Sequence, residues 1–190
     1  MFGILSKGQN YILEGDGLRL RPPRKSDYVS WQSVRAKSRH FLAPFEPSWS
    51  DLDLTRRAYE ERVRLSQREM RRGNEFCFLL FDIKDANEIL VGGLTLSNVR
   101  YRAARHANLG YWMGVEYAAK GQMSRAVGLC LPFAFEYLNL RRLHAACLPH
   151  NIPSRKVLEN NGFMEEGFAE QYLQIDGEWR DHVLYGLSQH

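Results

Sequence analysis

The strand-to-helix junction near residue 150 constrains this chain more than any other segment. Leu143–Leu148 is a short apolar run with strand character. It empties into Pro149-His150-Asn151-Ile152-Pro153-Ser154. Asn151 is a strong N-cap, and Pro153 falls in the first helical turn, where a missing N–H costs little. The helix opened there should run to about Asn160. Gly162 then sits where a left-handed C-cap is needed, and Phe163 can fold back on the last turn. Start and stop of this helix are both written in the residues.

A second junction lies upstream. Ala107–Met113 reads as a strand, Gln122–Leu138 has the composition of a buried helix, and a short loop joins them. A loop feeding a helix N-terminus presents free backbone N–H groups and the positive end of the helix dipole, so it suits an anion. Gly121, at the helix entrance, would let a phosphate approach the backbone closely. A glycine before a helix also serves as a plain turn residue, and both readings stand. Pro132 removes a hydrogen bond inside the helix pattern, which predicts a kink eased by Gly128.

The remaining segments fit around these two units. Leu18-Arg19-Leu20-Arg21 alternates like a half-buried strand and ends at Pro22-Pro23. Ser26-Asp27 should cap a helix from about Tyr28 to Ser38. Phe41–Trp49 is aromatic and carries two prolines, so it is a loop with something to bury. From Thr55 to Arg72, Tyr59, Val63, Ser66 and Met70 share one helical face, and Gly73-Asn74 stops the helix. Phe76–Phe81 and Ile89–Leu96 read as an antiparallel pair. Gln171–Ile175 and Glu178–Leu187 flank Asp176-Gly177, a strong two-residue hairpin signal. The expected order is strand, two helices, three strands, helix, strand, helix, two strands. That describes one α+β domain on a mixed sheet.

Composition narrows the function classes. A chain of 190 residues suits one domain at roughly 100–200 residues per domain. Its 44% hydrophobic and 25% charged content excludes a disordered tail or a disulfide mini-scaffold. No apolar stretch approaches the ~20 residues of a membrane span. Met1–Leu5 is too short for the apolar core of a signal peptide, so a cytoplasmic protein without membrane association is expected. Cys77, Cys130 and Cys147 lack metal-ligand spacing and read as small hydrophobes, with no metal site expected. The net charge of +4 favours anionic partners without establishing a nucleic-acid binder. Seven arginines and three glutamates lie on the Thr55–Arg72 helix. They read as a solvated face with local ion pairs, or as a contact surface for an anionic partner such as RNA.

Taken together, these motifs resemble the GCN5-related N-acetyltransferase (GNAT) superfamily. The resemblance rests on the Arg19-Leu20-Arg21 strand followed by Asp27, the strand-loop-helix at Gly110–Ala126, and Asn151-x-x-Ser154 opening a helix that ends in Gly162-Phe163. It covers about residues 18–187, so a single acetyltransferase domain over 1–190 is expected. The implied fold is a mixed, mostly antiparallel twisted sheet flanked by helices. The runs Ser38–Pro47, Pro149–Asn151 and Tyr172–Val183 look like the branch that acetylates ribosomal-protein N-termini. The implied cosubstrate is acetyl-CoA, and the implied partner is a ribosomal protein N-terminus or the ribosome. A small-amine acetyltransferase and a non-enzymatic ribosome-assembly factor remain the alternatives.

The resemblance also assigns roles. Met113, Val115, Ala118, Ala119, Lys120, Gly121, Gln122 and Met123 would line the cofactor's pyrophosphate loop. Only the central glycine of the family pattern survives in Ala118–Met123, and Met123 would crowd the first helical turn. Asn151 would contact the cofactor, or simply cap the helix. Ser154 would lie near the sulfur and protonate the departing thiolate, since the position four residues later, a tyrosine in many relatives, is Leu158. Many relatives carry a glutamate where this chain has Asn108, which cannot take up a proton. His106, on the same strand face, and Glu46, in the aromatic loop, are the candidate bases. Phe45, Trp49, Asn98 and Asn108 are candidate acceptor-site residues, although the two aromatics also suit packing and Asn98 a turn.

Overall fold

The computed structural model describes residues 11–84 and 87–189. The reading of Met1–Leu5 lies outside these residues. The strands are β1 (Leu13–Gly15), β2 (Leu18–Arg21), β3 (Phe76–Lys84), β4 (Asn87–Arg100), β5 (His106–Met113), β6 (Arg142–Cys147), β7 (Met164–Ile175) and β8 (Glu178–Ser188). The helices are α1 (Tyr28–Lys37), α2 (Arg39–Leu42), α3 (Arg56–Arg72), α4 (Gln122–Pro132) and α5 (Ile152–Glu159). All eight strands form one sheet in the order β1-β2-β3-β4-β5-β6-β8-β7. Every pairing is antiparallel except β5 with β6.

Two apolar clusters pack on this sheet. The larger one includes Phe76, Phe78 and Leu80 of β3, Leu94 and Leu96 of β4, and Met123, Ala126, Val127 and Cys130 of α4. The smaller one gathers Trp31 of α1, Tyr59 and Val63 of α3, and Leu79, Phe81 and Leu90. Strand alternation explains the division, because successive β3 side chains point to opposite faces.

The exceptional parallel pair matters most for function. β5 and β6 are in register only at His106, Ala107 and Asn108 against Arg142, Leu143 and His144. Beyond that point the strands separate. β5 continues beside β4 as far as Met113, and β6 continues beside β8 as far as Cys147. A cleft therefore opens between Leu109–Met113 and Ala145–Cys147, with α4 leaving one strand and α5 the other.

Some local expectations are corrected. Asp27 does not cap α1 with its side chain. Its carboxylate instead accepts two bonds from Arg21 at 2.8 Å and one from the Arg24 N–H at 2.7 Å. It thus closes the start of the 3₁₀ turn Lys25–Asp27 that leads into α1 while pairing with a buried guanidinium. β1 was not anticipated; it pairs with β2 across Asp16-Gly17, where both residues take positive φ. The helix expected over Gln122–Leu138 is α-helical only to Pro132 and π-helical over Phe133–Tyr137. Pro132 has no N–H for the regular ladder, and the chain resumes with the Leu138 N–H on the Phe133 carbonyl. β7 begins at Met164, well before Gln171. Its exposed early residues lack the apolar alternation that marks a half-buried strand.

Candidate active site

The cleft between β5 and β6 is bounded on one side by the loop from Gly114 to Gly121. Val115–Tyr117 forms a single 3₁₀ turn, and the Val115 N–H donates to Ser38 Oγ at 3.0 Å. Ala118 is extended, Ala119 has φ 58° and Gly121 has φ 72°. The first intrahelical bond of α4 runs from the Arg125 N–H to the Gly121 carbonyl at 3.2 Å. The N–H groups of Gln122, Met123 and Ser124 thus have no acceptor within the helix. A Cβ added at Gly121 would meet nothing within 4 Å, so the space beside the helix entrance is open there. Left-handed residues ahead of a helix N-terminus make a concavity of N–H groups suited to a pyrophosphate.

The side chains of this loop point elsewhere. Met123 is buried in the main core, so it does not crowd the loop. The Gln122 amide donates to Asp82 at 3.0 Å, tying α4 to β3. Lys120 Nζ donates to the Glu116 carbonyl at 2.7 Å and closes the loop on itself. Met113 packs against the main core at the end of β5. The concavity at the start of α4 is therefore built from backbone, and the side chains of Lys120, Gln122 and Met123 have partners elsewhere.

The other wall is the start of α5. The Asn151 carboxamide accepts from the Ser154 N–H at 3.2 Å, so Asn151 does cap the helix. Ser154 Oγ lies 2.9 Å from the Tyr111 hydroxyl, which also reaches the Ser154 carbonyl at 3.1 Å. Tyr111 comes from β5, so this contact spans the cleft. Burial raises the Tyr111 phenol well above its ordinary value, with the Ser154 hydrogen bond acting in the opposite sense. Burial also raises the Cys147 thiol, at the end of β6, with its Ser154 contact acting in the opposite sense. Just past the end of α5, the Asn161 amide donates to the Ser124 carbonyl and hydroxyl, both at 3.1 Å, and to the Val157 carbonyl at 2.8 Å. This side chain ties α5 to α4 across the cleft.

The Phe41–Trp49 segment closes one end. It begins as α2 and continues as a 3₁₀ turn over Ala43–Phe45. The Phe45 ring lies 6.1 Å from His150, on the loop preceding α5. The Asp176 N–H donates to the Glu46 carbonyl at 2.9 Å, so the β7–β8 hairpin tip rests on this loop. Glu46 is held by Arg35 through two bonds, at 2.8 and 2.6 Å, and accepts from Trp49 Nε1 at 2.9 Å. The Arg35 guanidinium sits 4.1 Å from the Trp49 ring and 4.8 Å from the Trp112 ring. Arg35, on α1, thereby joins the loop to β5.

The remaining candidates are spread along the sheet. Asn108 is the last β5 residue paired with β6, at the fork of the cleft. His106 lies at the paired end, its ring 5.1 Å from His144 and edge-on to it. Asn98 is exposed on β4 with φ 51°, beside the irregularity between Ser97 and Arg100. The structure thus brings together the Gly114–Gly121 loop, Asn151, Ser154 and the aromatic loop. It leaves Asn98 and His106 apart from them. Tyr111, Arg35 and Asn161 went unnoticed in the sequence because their partners lie far along the chain. Among the described residues no cluster of His, Cys, Asp and Glu could hold a metal ion, and no helix is long and apolar enough to cross a membrane.

Comparison with known proteins extends this geometry. Residues 17–164 match a sequence model of the acetyltransferase (GNAT) domain. The Escherichia coli (strain K12) enzyme [ribosomal protein uS5]-alanine N-acetyltransferase is 35% identical over 189 residues, 99% of this chain and 96% of its own. The crystal structure of ribosomal-protein-S5-alanine acetyltransferase from Vibrio fischeri superposes with a TM-score of 0.85 at 32% identity, covering 93% of this chain and 96% of its own. Mycobacterium smegmatis RimJ, solved in complex with CoA-disulfide, superposes with a TM-score of 0.84 at 32% identity, covering 90% of this chain and 81% of its own.

Proposed function

Because the chain belongs to the GNAT acetyltransferase family, we propose that it transfers the acetyl group of acetyl-CoA to the N-terminal α-amine of a ribosomal protein. The acceptor class rests on likeness over nearly the full length of both chains to an enzyme of that specificity. The observation that carries the chemistry is Ser154, whose hydroxyl is held in the cleft at the start of α5. When bound, acetyl-CoA supplies the acyl group and a thiolate leaving group.

The residues divide the work. The free N–H groups of Gln122, Met123 and Ser124, with the open backbone at Gly121, would hold the pyrophosphate. The β5 edge from Leu109 to Met113 has no β6 partner and would lie along the pantetheine arm. Ser154 would give its proton to the departing sulfur, the role of a general acid. Phe45 and Trp49, with Asn108 at the fork, would frame the acceptor.

Neither candidate base is arranged for a simple proton transfer. Both Glu46 oxygens are committed to Arg35, and His106 faces His144 at the closed end of the strand pair. The nucleophile itself supplies what is needed. An α-amine has a pKa of about 7.7–8.0, so roughly a tenth is neutral near pH 7, whereas a lysine near 10.4 is almost wholly charged. Such an acceptor sheds its ammonium proton to water before it attacks, so no strong base is required.

The reading is tested by incubating the protein with acetyl-CoA and ribosomal proteins stripped of N-terminal acetyl groups. The expected result is one acetyl added at one protein's N-terminus, and a kcat reduced about 100-fold or more in Ser154→Ala. Acetyl-CoA binding without transfer to any protein N-terminus would overturn it.

A further inference from the structure

We propose that Tyr111 is a positioning residue that aims the Ser154 hydroxyl at the departing sulfur. The inference rests on the acid role proposed for Ser154 and deepens it. A serine hydroxyl is a free rotor with one proton and two lone pairs. As an acid it must present that proton to the sulfur and not to a nearby acceptor. A competing acceptor is close: the Cys147 sulfur is in hydrogen-bond contact with the Ser154 side chain. A donor fixed on Ser154 Oγ removes the ambiguity, because an oxygen receiving a hydrogen bond turns its own O–H away from the donor.

Tyr111 meets this requirement. Its one proton is shared between Ser154 Oγ at 2.9 Å and the Ser154 carbonyl at 3.1 Å, with Oγ the nearer of the two. It comes from the opposite wall of the cleft, so its direction is independent of helix α5. Burial raises its pKa, so the phenol keeps its proton and stays a donor through the working pH range. The ring is anchored by packing against the main core.

The proton balance closes without any further group. The C–N bond forms as the C–S bond breaks, the S–H bond forms as the Ser154 O–H bond breaks, and Tyr111 donates a hydrogen bond to the developing negative oxygen. The attacking nitrogen must lose one proton to become an amide. That proton restores the Ser154 O–H, and Tyr111 remains protonated throughout. A hydrogen bond to a charged oxygen is stronger than one to a neutral hydroxyl, so the contribution of Tyr111 is largest in the transition state.

The test is a double-mutant cycle with Tyr111→Phe and Ser154→Ala, read in kcat and in the KM for acetyl-CoA. Tyr111→Phe keeps the ring and removes only the hydroxyl, and a melting curve on each variant verifies the fold. The expected result is a kcat about tenfold lower in Tyr111→Phe, from loss of one hydrogen bond to a charged group. The KM for acetyl-CoA stays within about twofold, and Tyr111→Phe costs nothing further once Ser154 is alanine. If Ser154→Ala slows turnover while Tyr111→Phe leaves kcat unchanged, or if the two losses add, the role of Tyr111 is refuted and that of Ser154 stands. If Tyr111→Phe raises the KM and leaves kcat alone, the tyrosine only braces the cleft. If Ser154→Ala turns over normally, the acid reading fails and this inference with it.

Discussion

The two sides of the cleft, one proposed for the cofactor and one for the acceptor, are built from different materials. The cofactor side is mostly backbone: the free N–H groups of α4, the left-handed Ala119 and Gly121, and the unpaired edge of β5. It stands on the larger apolar cluster and is tied across by Asn161 to Ser124. The acceptor side is mostly side chain, held by Arg35, Glu46, Trp49 and Trp112. Backbone tolerates sequence change as long as its path is kept, whereas a clamp of four side chains does not. A family can therefore keep its cosubstrate site while its acceptor site diverges, and acceptor choice in this chain should be traced to the clamp.

The contrast can be broken from either side. The largest effect is expected from Gly121→Val. A β-branched residue at φ 72° is strained by about 1–2 kcal/mol, and relief would move the N–H groups off the phosphate. Acetyl-CoA KM should rise tenfold or more, with acceptor KM little changed, in steady-state titrations of each substrate. Arg35→Ala should do the converse. It leaves Glu46 without its cation in a site where the two side chains are only 11% and 21% exposed. The loss of stability should fall below the ~3–5 kcal/mol typical of breaking a fully buried pair. Acceptor KM should rise about tenfold while acetyl-CoA KM holds, and equal rises in both would erase the distinction between the two sides. The smallest effect is expected from Trp49→Phe, which keeps a ring against Arg35 and removes the bond from Nε1 to Glu46. One hydrogen bond of ~1 kcal/mol corresponds to a few-fold change in acceptor KM, readable with a short peptide.

The same contrast governs what was legible in the residues. Local signals were strong where one residue fixes one backbone angle. Gly121, Gly162 and Gly177 all take positive φ, and Asn151 caps α5 through the Ser154 N–H. Gly121 and Asn151 border the side of the cleft proposed for the cofactor, and Gly177 turns the hairpin that rests on the Glu46 loop. The acceptor side depends on partners far apart in the chain, such as Arg35 with Trp112, and no periodicity announces them. The Tyr111–Ser154 contact was hidden for the same reason. Asp27 shows the opposite failure: its capping signal was plain, but its carboxylate closes the 3₁₀ turn before α1 and pairs with Arg21. The sparse apolar alternation of early β7 likewise concealed a strand that pairs with β8 across nearly its whole length.

The central claim is that the acetyl group goes to a protein α-amine. The most direct measurement uses an alanine-initiated peptide from a ribosomal protein that also contains a lysine, incubated with acetyl-CoA and mapped by fragmentation mass spectrometry. The account predicts one acetyl group, on the N-terminal nitrogen, and none when that nitrogen is blocked beforehand. Acetylation of the lysine in the blocked peptide, or turnover with spermidine but not with either peptide, would contradict it.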